Sequence, residues 1–201
     1  MDGATVTKAN MHLGIDYGAK LAGTTAICFE QSGQLHIRQS DKKRDADKFI
    51  QQAITQLQPK SIFIDAPLSL PLAYFGKGDN YFYRDCDKLL KGMSPMFLGG
   101  LTARAMKLAN TYEKTGISFL ETYPAQIVKH YLVEITEGYK QQKEFLANFC
   151  EILVEQFPYH FAVIPSNWHQ VDSALAWWAG WRYKNGKVKI YGNEEEGVIY
   201  I

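Results

Sequence analysis

The segment "KSIFIDAP", residues 60 to 67, constrains the chain most. Its apolar residues Ile62, Phe63 and Ile64 follow one another without alternation, the pattern of a short strand covered on both faces. The X-Pro step at Ala66 and Pro67 turns the chain away directly after Asp65. Just upstream, "DKKRDADKFIQQAITQLQPK" has an acidic start, apolar residues at Phe49, Ile50, Ala53, Ile54 and Leu57, and a proline stop, which together make an amphipathic helix. Before it, "HLGID", "GTTAICFE" and "GQLHIRQ" read as three strands on short turns, a meander. A strand, helix and strand in succession imply a right-handed crossover and parallel pairing. The expected fold is therefore an α/β sheet with helices on both faces.

Downstream the pattern repeats with one interruption. Residues 66 to 98 are rich in Gly, Pro, Tyr and Phe and are too long for an ordinary connection, so they read as an insertion holding a short helix in "YFYRDCDKLLKG". "TARAMKLANTYEKTG" is a helix ending at Gly116, and "ISFLETYP" is a fifth strand whose end carries Glu121. "AQIVKHYLVEI" and "KQQKEFLANFCEILVEQF" are helical. "SNWHQVDSALAWWAGWRYKNGK" is the last long helix, with Ser166 or Asn167 as N-cap and Gly186 in its stop. "KVKIYGNEEEGVIYI" closes the chain as a hairpin. This element order is that of the ribonuclease-H-like fold, a mixed five-stranded sheet of order 3-2-1-4-5.

Composition narrows the class. With 201 residues, 46% of them hydrophobic, the chain suits one domain, 1–201, and two full domains would be cramped. Twenty-two basic residues against 21 acidic ones give no global signature of a nucleic-acid or membrane binder. No run approaches the roughly 20 apolar residues of a bilayer span, and no signal-peptide pattern opens the chain, so a cytoplasmic protein is expected. Cys28, Cys86 and Cys150 are odd in number and far apart, against both a disulfide framework and a structural zinc site.

In such a sheet the first strand neighbours the fourth and the fourth the fifth. Asp16, Asp65 and Glu121 then end adjacent strands about 4.8 Å apart. Asp172, on the last helix, borders the apolar positions Val171, Ala174, Trp178 and Trp181 and can point at the same sheet edge. Four converging carboxylates would repel one another unless cations neutralised them. An oxygen-rich, histidine-poor cluster suits Mg²⁺ or Mn²⁺, and two such ions about 4 Å apart can clamp the attacking and leaving oxygens of a phosphodiester.

The stretch "GIDYGAKLAGTTAIC" is similar to the first-strand motif of the Holliday-junction-resolvase branch of ribonuclease-H-like nucleases, in which the aspartate at Asp16 is a metal ligand. With "FIDAPLSLP", "RDCDKLL", "ETYPA" and "VDSALAWWAGWR" in order, the chain resembles the family described as domain of unknown function 429, predicted nucleases of that fold, over residues 11 to 182. The resemblance implies Asp16, Asp65 and Asp172 as metal ligands. It matches Arg84 and Asp87 to an arginine and aspartate segment, and Glu121 to an acidic position that joins the catalytic set.

Other residues carry two readings. His169, three residues before Asp172, shares its helix face and reads as a metal neighbour or as an ordinary surface histidine. Trp168, Trp177, Trp178 and Trp181 can stack bases but sit at helical spacing, which favours core. Lys20, just after the first motif, and Arg84, Lys88 and Arg104, with Lys91 and Lys107 beside them, form the local basic group expected to meet phosphates. Gly14 and Gly18 leave space for a substrate backbone. The expected activity is divalent-metal-dependent hydrolysis of DNA or RNA, in a protein that forms a homodimer as its resolvase-like relatives do. Two other readings stand beside it: a non-catalytic scaffold of the same fold, and a nucleotide-binding phosphotransferase of the actin-like superfamily, whose architecture requires two related domains.

Overall fold

The strand-forming runs assemble into one mixed sheet in the computed structural model, which describes residues 11–141 and 144–201. The elements are β1 (His12–Asp16), β2 (Ala26–Gln31), β3 (Gln34–Gln39), α1 (Ala46–Leu57), β4 (Ser61–Asp65), α2 (Asp85–Leu90), α3 (Pro95–Leu98), α4 (Gly100–Glu113), β5 (Ser118–Thr122), α5 (Pro124–Tyr131), α6 (Phe145–Glu155), β6 (His160–Phe161), α7 (Trp168–Lys184), β7 (Ile190–Asn193) and β8 (Gly197–Tyr200). The sheet order is β6-β3-β2-β1-β4-β5-β8-β7. The expected 3-2-1-4-5 segment is present, but the sheet has eight strands rather than five. The terminal hairpin does not stand apart: β8 pairs in parallel with β5, Glu121 opposite Ile199. On the other edge the two residues of β6 pair with β3, too short a strand to leave any pattern in the sequence.

Pleat alternation builds two cores. Leu13, Ile15, Ile27, Ile62 and Ile64 face α1 and α4, where Ile50, Ile54 and Leu108 cover them. Cys28 and Phe63 face the opposite way, toward α7 and its Val171, Ala174 and Trp177. Asp45 caps α1 by accepting from the Asp47 and Lys48 amides, and Asn167 caps α7 by accepting from that of Gln170. The expected helix from Lys140 onward begins at Phe145, and part of the expected run, residues 142 and 143, lies outside the described residues. Residues 66 to 98 do form an insertion, with α2, α3 and a 3-10 turn at Leu72–Phe75. The Glu196 carboxylate, from the β7–β8 turn, pins it by accepting from the Leu72 and Asp85 amides.

Helix α7 is more enclosed than its sequence suggests, since every residue from Val171 to Gly180 is buried. It also lies unusually close to β1. A Cβ at Gly14 would stand 2.0 Å from the Trp177 amide nitrogen and 2.4 Å from the Ser173 carbonyl oxygen, and one at Gly180 would stand 2.3 Å from His12 Cδ2. Gly14 admits the α7 backbone and Gly180 the His12 and Phe63 side chains, so Gly14 does not leave the expected space for a substrate. Gly18 does not either, because Thr24 Oγ1 would lie 2.1 Å from its Cβ. His12 stacks on Trp177 with ring centroids 4.9 Å apart and sits 2.8 Å from the Trp177 carbonyl; burial pushes its pKa down to about 3. Trp177 and Trp178 are core residues, unable to stack bases. The three cysteines are buried and unpaired, and among the described residues no helix is long and apolar enough to cross a membrane.

The β1–α7 contact predicts a large asymmetry between glycines. Gly14→Ala should lower the unfolding free energy by about 3 kcal/mol or more, because backbone must move to admit the methyl group. Gly100→Ala, with open space around its Cβ, should leave the urea midpoint near that of wild type. A Gly14→Ala midpoint equal to that of Gly100→Ala would contradict the packing.

Candidate metal centre

Three of the four expected acids meet. Asp16 and Asp65 are direct partners in the parallel β1–β4 register, so both side chains leave the last residue of their strand on the α7 face. Asp172, in the second turn of α7, is brought over them by the close seating of that helix on Gly14. One carboxylate oxygen from each of Asp16, Asp65 and Asp172 lies within 4.8 Å of the other two. Oxygens bound to one Mg²⁺ ion at about 2.1 Å are about 3 Å apart when cis and about 4.2 Å when trans, so sharing an ion draws the three carboxylates together by up to about 2 Å.

The surrounding groups show how this charge is held. Asp172 is 1% exposed; Tyr139 donates its hydroxyl to Oδ1 at 2.5 Å, and the Lys140 ammonium lies 2.6 Å from Oδ2. His169 Nδ1 lies 2.7 Å from Asp16 Oδ2. No described residue donates a hydrogen bond to Asp65. Burial, followed by the charges of Asp16 and Asp172, holds the Asp65 carboxyl well above the usual carboxylate range. Burial likewise raises Asp172, although Lys140 opposes the shift. For Lys140 burial works against the charge, and Asp172 more than reverses it. The hydrogen bond to Asp16 raises His169 and favours its imidazolium form. An all-oxygen donor set with one carboxylate lacking any donor fits a hard divalent cation.

Glu121 does not join the triad. Its register partner is Ile64, not Asp65, so pleat alternation sends it to the opposite face of the sheet, with Phe119. There it meets Arg84. The guanidinium bonds both Glu121 oxygens at 2.7 Å, both Asp87 oxygens at 2.7 and 3.0 Å, and Ser69 Oγ at 2.8 Å. The Leu68 amide donates to Glu121 as well, at 2.9 Å. Five donors of one arginine are thereby used on three residues, a fully satisfied buried ion group that ties the insertion to β5. Arg84, being 0% exposed, cannot serve as the expected phosphate contact.

Lys20, Lys88 and Arg104 of the expected basic group are also engaged. Lys20 pairs with Asp45 at 3.3 Å and Lys88 with Asp85 at 3.4 Å, both on the surface. Arg104 binds Asp47 through two nitrogens, reaches the Gly18 carbonyl at 3.2 Å and lies over the Tyr17 ring at 4.7 Å. Tyr17 donates to the same Asp47 at 2.5 Å. Arg104 therefore braces the loop that follows Asp16. Tyr139 and Lys140 are the residues that sequence reasoning missed, since they sit in an irregular segment with no motif around them. His169 was signalled by its spacing from Asp172. No protein-family model matches the chain, and no curated protein matches it.

Two variants separate the two carboxylate groups. Glu121→Gln should destabilise the protein by about 3 kcal/mol, because it breaks a buried ion pair, while leaving the stabilisation by Mn²⁺ intact. Asp65→Asn should raise the thermal midpoint in chelator, by relieving like-charge repulsion, and should abolish the gain from Mn²⁺. The reverse pattern would place the metal at Glu121.

Proposed function

We propose that the protein is a divalent-metal-dependent nuclease, with Asp16, Asp65 and Asp172 as the ligands of Mg²⁺ or Mn²⁺ and a phosphodiester of DNA or RNA as substrate. The observation that carries this reading is the convergence of three carboxylates from β1, β4 and α7 at one sheet edge, one of them without a hydrogen-bond donor. The similarity of "GIDYG" and its companion motifs to ribonuclease-H-like nucleases supports the same chemistry. A bound divalent cation would polarise the phosphodiester and ease deprotonation of the attacking water.

The protein's own residues supply orientation. Asp16 is the last residue of a buried strand, and the loop beyond it is clamped by Arg104 and Asp47, so its carboxylate is fixed from both sides. His169 orients the Asp16 carboxylate through one oxygen and leaves the other open to a ligand. Tyr139 holds one oxygen of Asp172 from the buried side, and the Lys140 ammonium lies on the other. His169 is exposed at 44%, beside the acids, within reach of solvent and of a substrate backbone. In hydrolysis a water oxygen attacks phosphorus, one phosphorus–oxygen ester bond breaks, and the water's proton is lost as the departing alkoxide gains one. Lys20 and Lys88, whose surface acid partners hold them weakly, are the basic residues free to exchange those partners for phosphates.

One observation favours a second reading, the non-catalytic scaffold. Asp16 and Asp172 both accept hydrogen bonds from within the chain, and Lys140 and His169 supply neutralising charge to the cluster. Calorimetric titration with Mn²⁺ divides the two readings, since a scaffold needs no ion.

Incubated with single-stranded and branched DNA and RNA in Mn²⁺, the wild-type protein should cleave at least one of them. Asp16→Asn should reduce that cleavage by at least about a hundredfold, the scale on which a lost interaction with transition-state charge is felt. Undiminished cleavage by Asp16→Asn would exclude the mechanism.

A further inference from the structure

Lys140 occupies a position that its own backbone disfavours. Residues 138 to 141 form a type II turn, closed by the Gln141 amide on the Gly138 carbonyl at 3.4 Å, with Tyr139 at φ −71°, ψ 125° and Lys140 at φ +56°. The second central position of such a turn requires positive φ and is ordinarily Gly or Asn. A lysine there is strained by its Cβ and is held by contacts outside the turn. What holds it is Asp172: the turn delivers the Tyr139 hydroxyl to one oxygen of that carboxylate and the Lys140 ammonium to the other.

We propose that the Lys140 ammonium stands in for the second divalent cation, so that the site operates with one metal ion and one lysine. This rests on reading the triad as a metal centre. Three carboxylates and one ammonium leave an excess of negative charge that a single divalent ion cancels. Two ions beside Lys140 would leave an excess of positive charge at the triad. His169 on Asp16 adds to the positive side when protonated and makes a second ion less favourable still. A compact ammonium is a point charge that takes the place of an ion in balancing the carboxylates. Lys140 acts through Asp172 and is a positioning residue: it sets the charge, and so the number of ions, that the triad accepts.

The test is calorimetric titration of the full chain with Mn²⁺, comparing wild type, Lys140→Asn and Lys140→Arg. Asn suits positive φ, so Lys140→Asn keeps the turn; loss of the ammonium should lower the thermal midpoint in chelator, Mn²⁺ should restore it, and circular dichroism checks that the variant is folded. Wild type should bind one ion. Lys140→Asn should bind its first ion about tenfold more tightly, as expected for removing a like charge several ångströms away in a solvated setting, and should take up a second ion. Lys140→Arg, which keeps the charge, should retain one-ion binding. Two ions in wild type, or wild-type stoichiometry and affinity in Lys140→Asn, would overturn the inference while leaving the nuclease reading in place. Absence of binding in all three proteins would overturn the metal centre itself, and this inference with it.

Discussion

The contact between β1 and α7 is the constraint on which the rest of the structure depends. Ordinary helix-on-sheet packing keeps side chains between the two backbones. Here Gly14 removes one, so the α7 backbone rests directly on the first strand, while Gly180 on α7 makes room for the His12 and Phe63 side chains. That approach brings Asp172 from the helix to Asp16 and Asp65 on the sheet. Since a buried helix of apolar residues surrounds it, Asp172 has no solvent to return to and must find its partners in the cluster. Packing energy in the core thus offsets the electrostatic cost of assembling three acids.

The sheet carries two charged groups, one on each face, and they solve the same problem differently. On one face Arg84 spends its five donors on Glu121, Asp87 and Ser69, so that every oxygen of the two carboxylates has a donor and the closed group holds the insertion against β5. On the other face, Lys140 and His169 meet three acids and leave Asp65 without a donor. The two groups differ in hydrogen bonding: Arg84 reaches every carboxylate oxygen around it, whereas the Asp65 carboxylate has no donor among the described residues. Register alone decides which carboxylate belongs to which group: one residue along β5 separates a position on the triad's face from the one Glu121 occupies.

Much of this arrangement was legible in the sequence. The continuous apolar run at Ile62–Ile64, the amphipathic helix before it and the meander before that required the 3-2-1-4-5 core, and Asp16 and Asp65 followed from strand ends. Asp172 followed from helix spacing. Glu121 was misplaced because its strand was located without its register, and a shift of one residue turns a side chain to the other face. Arg84 read as a surface cation because composition cannot reveal that two acids, one 37 residues away, enclose it. Gly14 was recognised as a site of close approach, but what approaches is α7. Lys140 was invisible, since its role depends on a turn in irregular backbone meeting a helix 32 residues further on. The two outer strand pairings escaped because β6 is two residues long and the position of the hairpin is set by the β5 edge.

The central claim is that Asp16, Asp65 and Asp172 together hold a divalent cation. Anomalous scattering from crystals grown with Mn²⁺ tests it most directly. A single strong peak is expected at about 2.2 Å from one oxygen of each of the three aspartates, with the Lys140 ammonium still on Asp172. A peak at Glu121, or none at the triad while the three carboxylates keep their internal hydrogen bonds, would contradict it.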